Sequence, residues 1–177
     1  RDSDSGTQSA YPESLTNVNG TLFFTSEIRP TRTELWKSDG TADGTVLVKE
    51  IKFGRSRYDP ASLTNVNGTL YFNANDGANG YELWKSDGTT VGTVLVKDIR
   101  AGVGSANLRQ LINVNGILYF SADDGANGYE LWKSDGTTAG TVLVKDIRSG
   151  ISASSPRSLT NNNGILYFFA ADGEHGL

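Results

Sequence analysis

Apolar residues fall in short runs along this chain, and each run is closed by glycine, asparagine or aspartate. One cycle shows the pattern. A short, partly apolar run at Ser62 to Val66 meets Asn67-Gly68, a dipeptide suited to a two-residue hairpin turn with positive φ at both positions. Thr69 to Asn75 then places Leu70 and Phe72 on one face and Tyr71 on the other. After the turn formers Asp76-Gly77-Ala78-Asn79-Gly80 comes Tyr81 to Ser86, then a turn from Asp87 to Gly92, then Thr93 to Ile99 with Val94, Leu95 and Val96 in one run. The reading is four short strands, A to D. No segment carries helical periodicity of useful length. Strands B, C and D are apolar on both faces, so each sheet is expected to be covered on both sides.

The cycle repeats. Trp36, Trp84 and Trp132 are evenly spaced at 48 residues, as are Asn19, Asn67, Asn115 and Asn163, each followed by glycine. Between residues 68–100 and 116–148 only Thr69/Ile117, Asn73/Ser121, Asn75/Asp123 and Val91/Ala139 differ. Four-stranded sheets stacked face to face at a fixed period predict an all-β fold, a β-propeller or partial propeller of four-stranded antiparallel blades. The blades are expected at 14–51, 62–99, 110–147 and 158–177 of a single repeat domain. In the repeat phase the chain is fifteen residues short of four copies, with strands C and D of the last one missing. An uncovered strand B there is an open edge, expected to be covered by a missing segment, a partner or self-association.

The string Glu82-Leu83-Trp84-Lys85-Ser86-Asp87-Gly88-Thr89 recurs at Glu34 to Thr41 and Glu130 to Thr137. It resembles the bacterial family named for its ELWxxDGT repeat, in three full copies and a partial fourth. The Gly-Thr-Leu-Tyr-Phe strand is loosely similar to kelch and hemopexin blades, although the paired cysteines of a hemopexin-like propeller are absent. The resemblance implies part of a secreted or cell-surface bacterial protein and carries no assigned activity.

Composition narrows the function classes. With 16 Lys and Arg against 20 Asp and Glu, the net charge is −4, unsuited to general binding of nucleic acid. There is no cysteine, hence no disulfide or thiolate chemistry, and no apolar run long enough for a membrane-spanning helix. The chain begins at Arg1 and has no methionine, which reads as the interior of a longer precursor; any targeting segment would lie outside this sequence. His175 is the lone histidine and supports neither a triad nor a zinc site. No catalytic residue stands out, and the chain is read as a non-enzyme.

The recurring residues have structural readings. Trp84 is expected to wedge between blades, its N–H finding one partner, and Glu82 to bind neighbouring backbone. Asp87 and Thr89 are expected to hold the C–D turn. Divergence collects in the B–C and D–A loops, which antiparallel strands place on one end of the sheets. Arg29, Arg32, Phe53, Arg55, Arg57 and Tyr58 fall there and form a candidate ligand-binding cluster for an anionic sugar, a phosphate or a protein. Asp76, Asn79, Asp124 and Asn127 offer oxygens to calcium, but their spacing departs from the Asp-x-Asp-x-Asp-Gly calcium loop, and turn formation alone explains them. The expected role is a scaffold or interaction module meeting a protein or glycan. The alternatives are a lectin-like carbohydrate-binding propeller and a self-associating array.

Overall fold

The computed structural model describes residues 11–28, 32–53, 55–56, 59–60 and 63–175. These residues form strands and turns, with no helix among them. The first sheet holds β1 (Tyr11–Val18), β2 (Thr21–Ile28), β3 (Arg32–Ser38) and β4 (Val46–Glu50), in that order. Three short strands follow: β5 (Lys52–Phe53), β6 (Arg55–Ser56) and β7 (Asp59–Pro60). The second sheet is β8 (Thr64–Val66), β9 (Thr69–Asn75), β10 (Tyr81–Ser86) and β11 (Val94–Lys97). The third is β12 (Arg109–Val114), β13 (Ile117–Asp123), β14 (Tyr129–Ser134) and β15 (Val142–Lys145). The fourth is the pair β16 (Arg157–Asn162) and β17 (Ile165–Phe169). Every pairing is antiparallel. A closed ring is not among the features observed.

Three local findings go beyond the sequence reading. Strand A carries a bulge at one repeat position, where Ser14, Gln110 and Ser158 have φ of 53°, 56° and 55°. A second irregularity sits on strand C between Leu35 and Trp36, Leu83 and Trp84, and Leu131 and Trp132. Such irregularities bend a strand and add twist. The segment Phe53 to Pro60, read as a loop, contains three strands. Lys52 and Phe53 pair with Asn75 and Ala74 on the edge of β9, and β6 pairs with β7.

The core lies between successive sheets. Val18, Phe23, Leu35 and Val48 of the first sheet meet Leu70, Phe72, Ala74 and Trp84 of the second. Val66, Tyr71, Leu83 and Val96 of the second sheet meet Leu118, Phe120, Ala122 and Trp132 of the third. Trp84 and Trp132 thus fill the gaps before their own sheets. Their polar ends depart from expectation. Trp36 Nε1 donates to Glu34 Oε2 at 2.8 Å, but the buried Nε1 atoms of Trp84 and Trp132 have no hydrogen-bond partner. The side chains of Lys49 and Lys97 cover these rings instead, with Nζ 5.4 and 5.9 Å from the ring centroids.

Side chains also stitch the sheets together. Asn65, Asn113 and Asn161 donate through Nδ2 to the carbonyls of Asn17, Asn65 and Asn113, at 3.1, 3.2 and 3.0 Å. Their Oδ1 atoms accept the N–H of Gly68, Gly116 and Gly164 and so close the A–B turns. On the D side, Lys49 and Lys97 donate to the carbonyls of Thr93 and Thr141, both at 2.7 Å. Thr90 and Thr138 donate to the carbonyls of Val48 and Val96 at 2.9 and 2.8 Å.

Candidate functional site

The two ends of the sheets differ in how tightly they are determined. At one end lie the A–B and C–D turns. Asn67 and Gly68 have φ of 51° and 84°, and the other three Asn-Gly pairs match them within a few degrees. In the C–D turn Asp87 Oδ1 accepts from the N–H and Oγ1 of Thr89 at 2.8 and 2.7 Å. Thr89 Oγ1 then accepts from Gly92 N–H, and Ser86 and Thr93 share a buried hydroxyl bond. The same bonds recur from Asp39 and from Asp135. The threonine hydroxyl and N–H hold all three carboxyls below the usual carboxylate range.

The other end gathers the B–C and D–A loops. Their contact is direct: Tyr81 N–H donates to Ser105 Oγ at 3.0 Å, and Asn107 N–H donates to the Tyr81 carbonyl at 3.2 Å. The D–A loop of the second sheet is held from inside by Glu82. This carboxylate is fully buried and accepts the N–H groups of Ile99, Arg100 and Ala106 at 2.8, 3.3 and 2.9 Å. Burial pushes its pKa up to about 7, against the pull of those amides. Glu130 repeats the arrangement with the N–H groups of Ile147 and Ser154, at 3.1 and 2.9 Å. The expectation that this glutamate binds neighbouring backbone is met in both sheets. Its particular function, fixing the base of a divergent loop, has a sequence signal in retrospect. A glutamate flanked by apolar residues on a doubly covered strand requires donors nearby.

Of the six candidate binding residues, Arg29, Arg57 and Tyr58 lie outside the described residues. For Arg32, Phe53 and Arg55 the backbone alone is described. Arg32 opens β3 beside the B–C loop, paired with Ile28. Phe53 ends β5, which lies against β3 and pairs with the B–C end of β9. Arg55 opens β6, where it pairs with Pro60 of β7. The backbone therefore brings Arg32 and Phe53 to the same loop-bearing end, as the strand alternation requires.

Two cationic side chains at this end were missed by the sequence reading. Arg100 Nη1 reaches Asp123 Oδ2 at 2.7 Å across to the next sheet. Arg109 stacks its guanidinium 4.0 Å from the centre of the Tyr129 ring. The signal for Arg100 was its recurrence as Arg148, 48 residues on.

The calcium candidates are committed to their own turns. Asp76 accepts from Ala78 N–H, Asn79 N–H and Asn79 Nδ2 at 2.8, 2.9 and 2.8 Å. Asp124 does the same with Ala126 and Asn127. The Asn79 N–H leads in lowering the Asp76 pKa. Burial works against the lowering at Asp124 and is outweighed by the Asn127 and Ala126 donors. In the fourth sheet Asp172 holds His175 in the same way, through N–H and Nδ1 at 2.8 and 2.7 Å. His175 thus takes the place that Asn127 and Asn79 occupy one and two repeats earlier.

Comparison with protein-family models, with curated proteins and with solved structures gives no match.

Proposed function

We propose that this chain is a non-catalytic recognition scaffold, a propeller or propeller-like arc of β blades from a secreted or surface bacterial protein of the ELWxxDGT-repeat type. One observation carries the reading: the recurring polar residues are engaged in turns, loop bases and links between sheets. Asp87 and Thr89 hold a turn, Glu82 and Glu130 hold loop bases, and Asn65 and Asn113 bridge sheets. A rigid frame with its variation confined to loops at one end is a common way to present a binding surface.

The basic, aromatic segments 29–32 and 53–58 are the candidate contact for a protein, an anionic sugar or a phosphate, on the strength of their arginine and aromatic content. The propeller reading draws support from a large tryptophan between sheets and from short asparagine links along strand A. Replacing Arg29, Arg32, Arg55 and Arg57 together with alanine tests the function. The expected result is loss of the ligands that the native chain captures on a glycan array and in a lysate pull-down. Unchanged capture overturns the assignment.

A further inference from the structure

The outer half of the third sheet is built like that of the first two, but none of the described residues lies over it as a C–D turn lies over those. Val48 and Val96 are 3% and 4% exposed, whereas Val144, at the same repeat position, is 44% exposed. Tyr71 is buried and its equivalent Tyr119 is only partly so; Lys85 is partly buried and its equivalent Lys133 is exposed.

What covers the equivalent surface on the second sheet is visible. It is the C–D turn of the following repeat. Lys85 Nζ donates to the Gly136 carbonyl at 2.9 Å, and Thr138 Oγ1 donates to the Val96 carbonyl. Gly136 lies so close to the Tyr71 hydroxyl that a Cβ there would fall 2.1 Å from it. The first sheet is covered likewise, with Gly88 against the Phe23 ring and Thr90 on the Val48 carbonyl.

On the third sheet the place for such a turn adjoins a second unfilled feature. Strand β17 pairs with β16 on one edge, and among the described residues no strand pairs with the other. In the second and third sheets that edge of strand B holds strand C, with Trp84 opposite Phe72 and Trp132 opposite Phe120.

We propose that the face around Tyr119, Lys133, Val142 and Val144, with the free edge of β17, is a docking seat for a strand C–strand D hairpin of this same repeat type. The register follows from the two filled copies. The incoming tryptophan pairs opposite Phe168, the lysine after it opposite Tyr167, and the turn glycine rests on Tyr119. Lys133 donates to the carbonyl of that glycine. An exposed strand edge beside an apolar face is a site for strand addition. Here the internal repeats show which sequence fits it. The inference rests on packing between sheets, independent of what the loops bind.

The test is titration of the 177-residue chain with a synthetic peptide of residues 129–147, read by calorimetry and light scattering. The expected result is saturable binding of one peptide per chain. Trp132→Ala or Gly136→Val in the peptide, or Val144→Asp in the chain, should each weaken it at least about tenfold, as loss of a buried anchor does. Circular dichroism confirms that the Val144→Asp chain remains folded, since the substitution is at an exposed position. Association of the chain with itself that the peptide disperses also supports the seat, a second copy then being its occupant. Absence of saturable binding, indifference to all three substitutions, or self-association that the peptide leaves intact overturns it.

Discussion

Glu82 shows what a single residue does for the frame. Its carboxylate is buried, yet three backbone amides of the D–A loop converge on it, so the loop leaves the sheet in one direction. The folded chain holds this proton up to about pH 7, whereas an unfolded glutamate releases it near its ordinary 4.5. Between those values the folded state binds more protons, so stability rises as pH falls from 7 towards 4.5, by up to about 3 kcal/mol. Below that window the turn aspartates act in the opposite direction. Asp39, Asp87 and Asp135 have lowered pKa values and lose their contribution as they protonate. Thermal melts across pH 3 to 8 should therefore peak in mildly acid solution. Glu82→Gln, which mimics the neutral form at every pH, should flatten the rise between pH 7 and 4.5; a rise that persists in the variant assigns it to another group.

At the scale of elements, the turns couple one sheet to the next. The Asn113 side chain accepts from Gly116 within its own turn and donates to the Asn65 carbonyl of the preceding sheet. Asn113→Ala should cost about 1–2 kcal/mol in urea denaturation, as loss of two hydrogen bonds does. Asn113→Asp keeps the acceptor, loses the donor, and should fall between alanine and the native chain. The C–D turns give a sharper contrast. Gly136 and Gly40 have nearly equal φ, 89° and 94°, so an alanine carries the same backbone strain at either position, about 1 kcal/mol. A Cβ on Gly136 meets the packed Tyr71 hydroxyl, whereas one on Gly40 has nothing within 4 Å. Gly136→Ala should therefore destabilise by about 2–3 kcal/mol and Gly40→Ala by about 1, in the same denaturation experiment. Equal costs at the two positions would remove sheet-to-sheet contact as the reason for the difference.

For the whole molecule, the repeat was legible because strand alternation and turn chemistry are local. Asn-Gly forces a tight turn, Asp-x-Thr closes one, and an apolar run of strand length on both faces demands cover on both sides. Those features located β9, β10, β13 and β14 within the sequence and assigned the turns and the divergent loops to opposite ends. Other features were not legible. The bulge at Ser14, Gln110 and Ser158 has no common residue type. The strand made by Lys52 and Phe53 depends on an edge of β9 that the shorter β8 leaves open. Of the candidate site, only the placement of Arg32 and Phe53 near the loop end came from alternation. The ion pair of Arg100 with Asp123 arises between residues of different sheets. The sequence by itself determined the strands, the turns and the 48-residue period, because each depends on neighbours along the chain. Only the tertiary structure decided where Trp84 places its N–H and which amides Glu82 gathers. Each of those outcomes depends on groups far along the chain that the fold brings alongside.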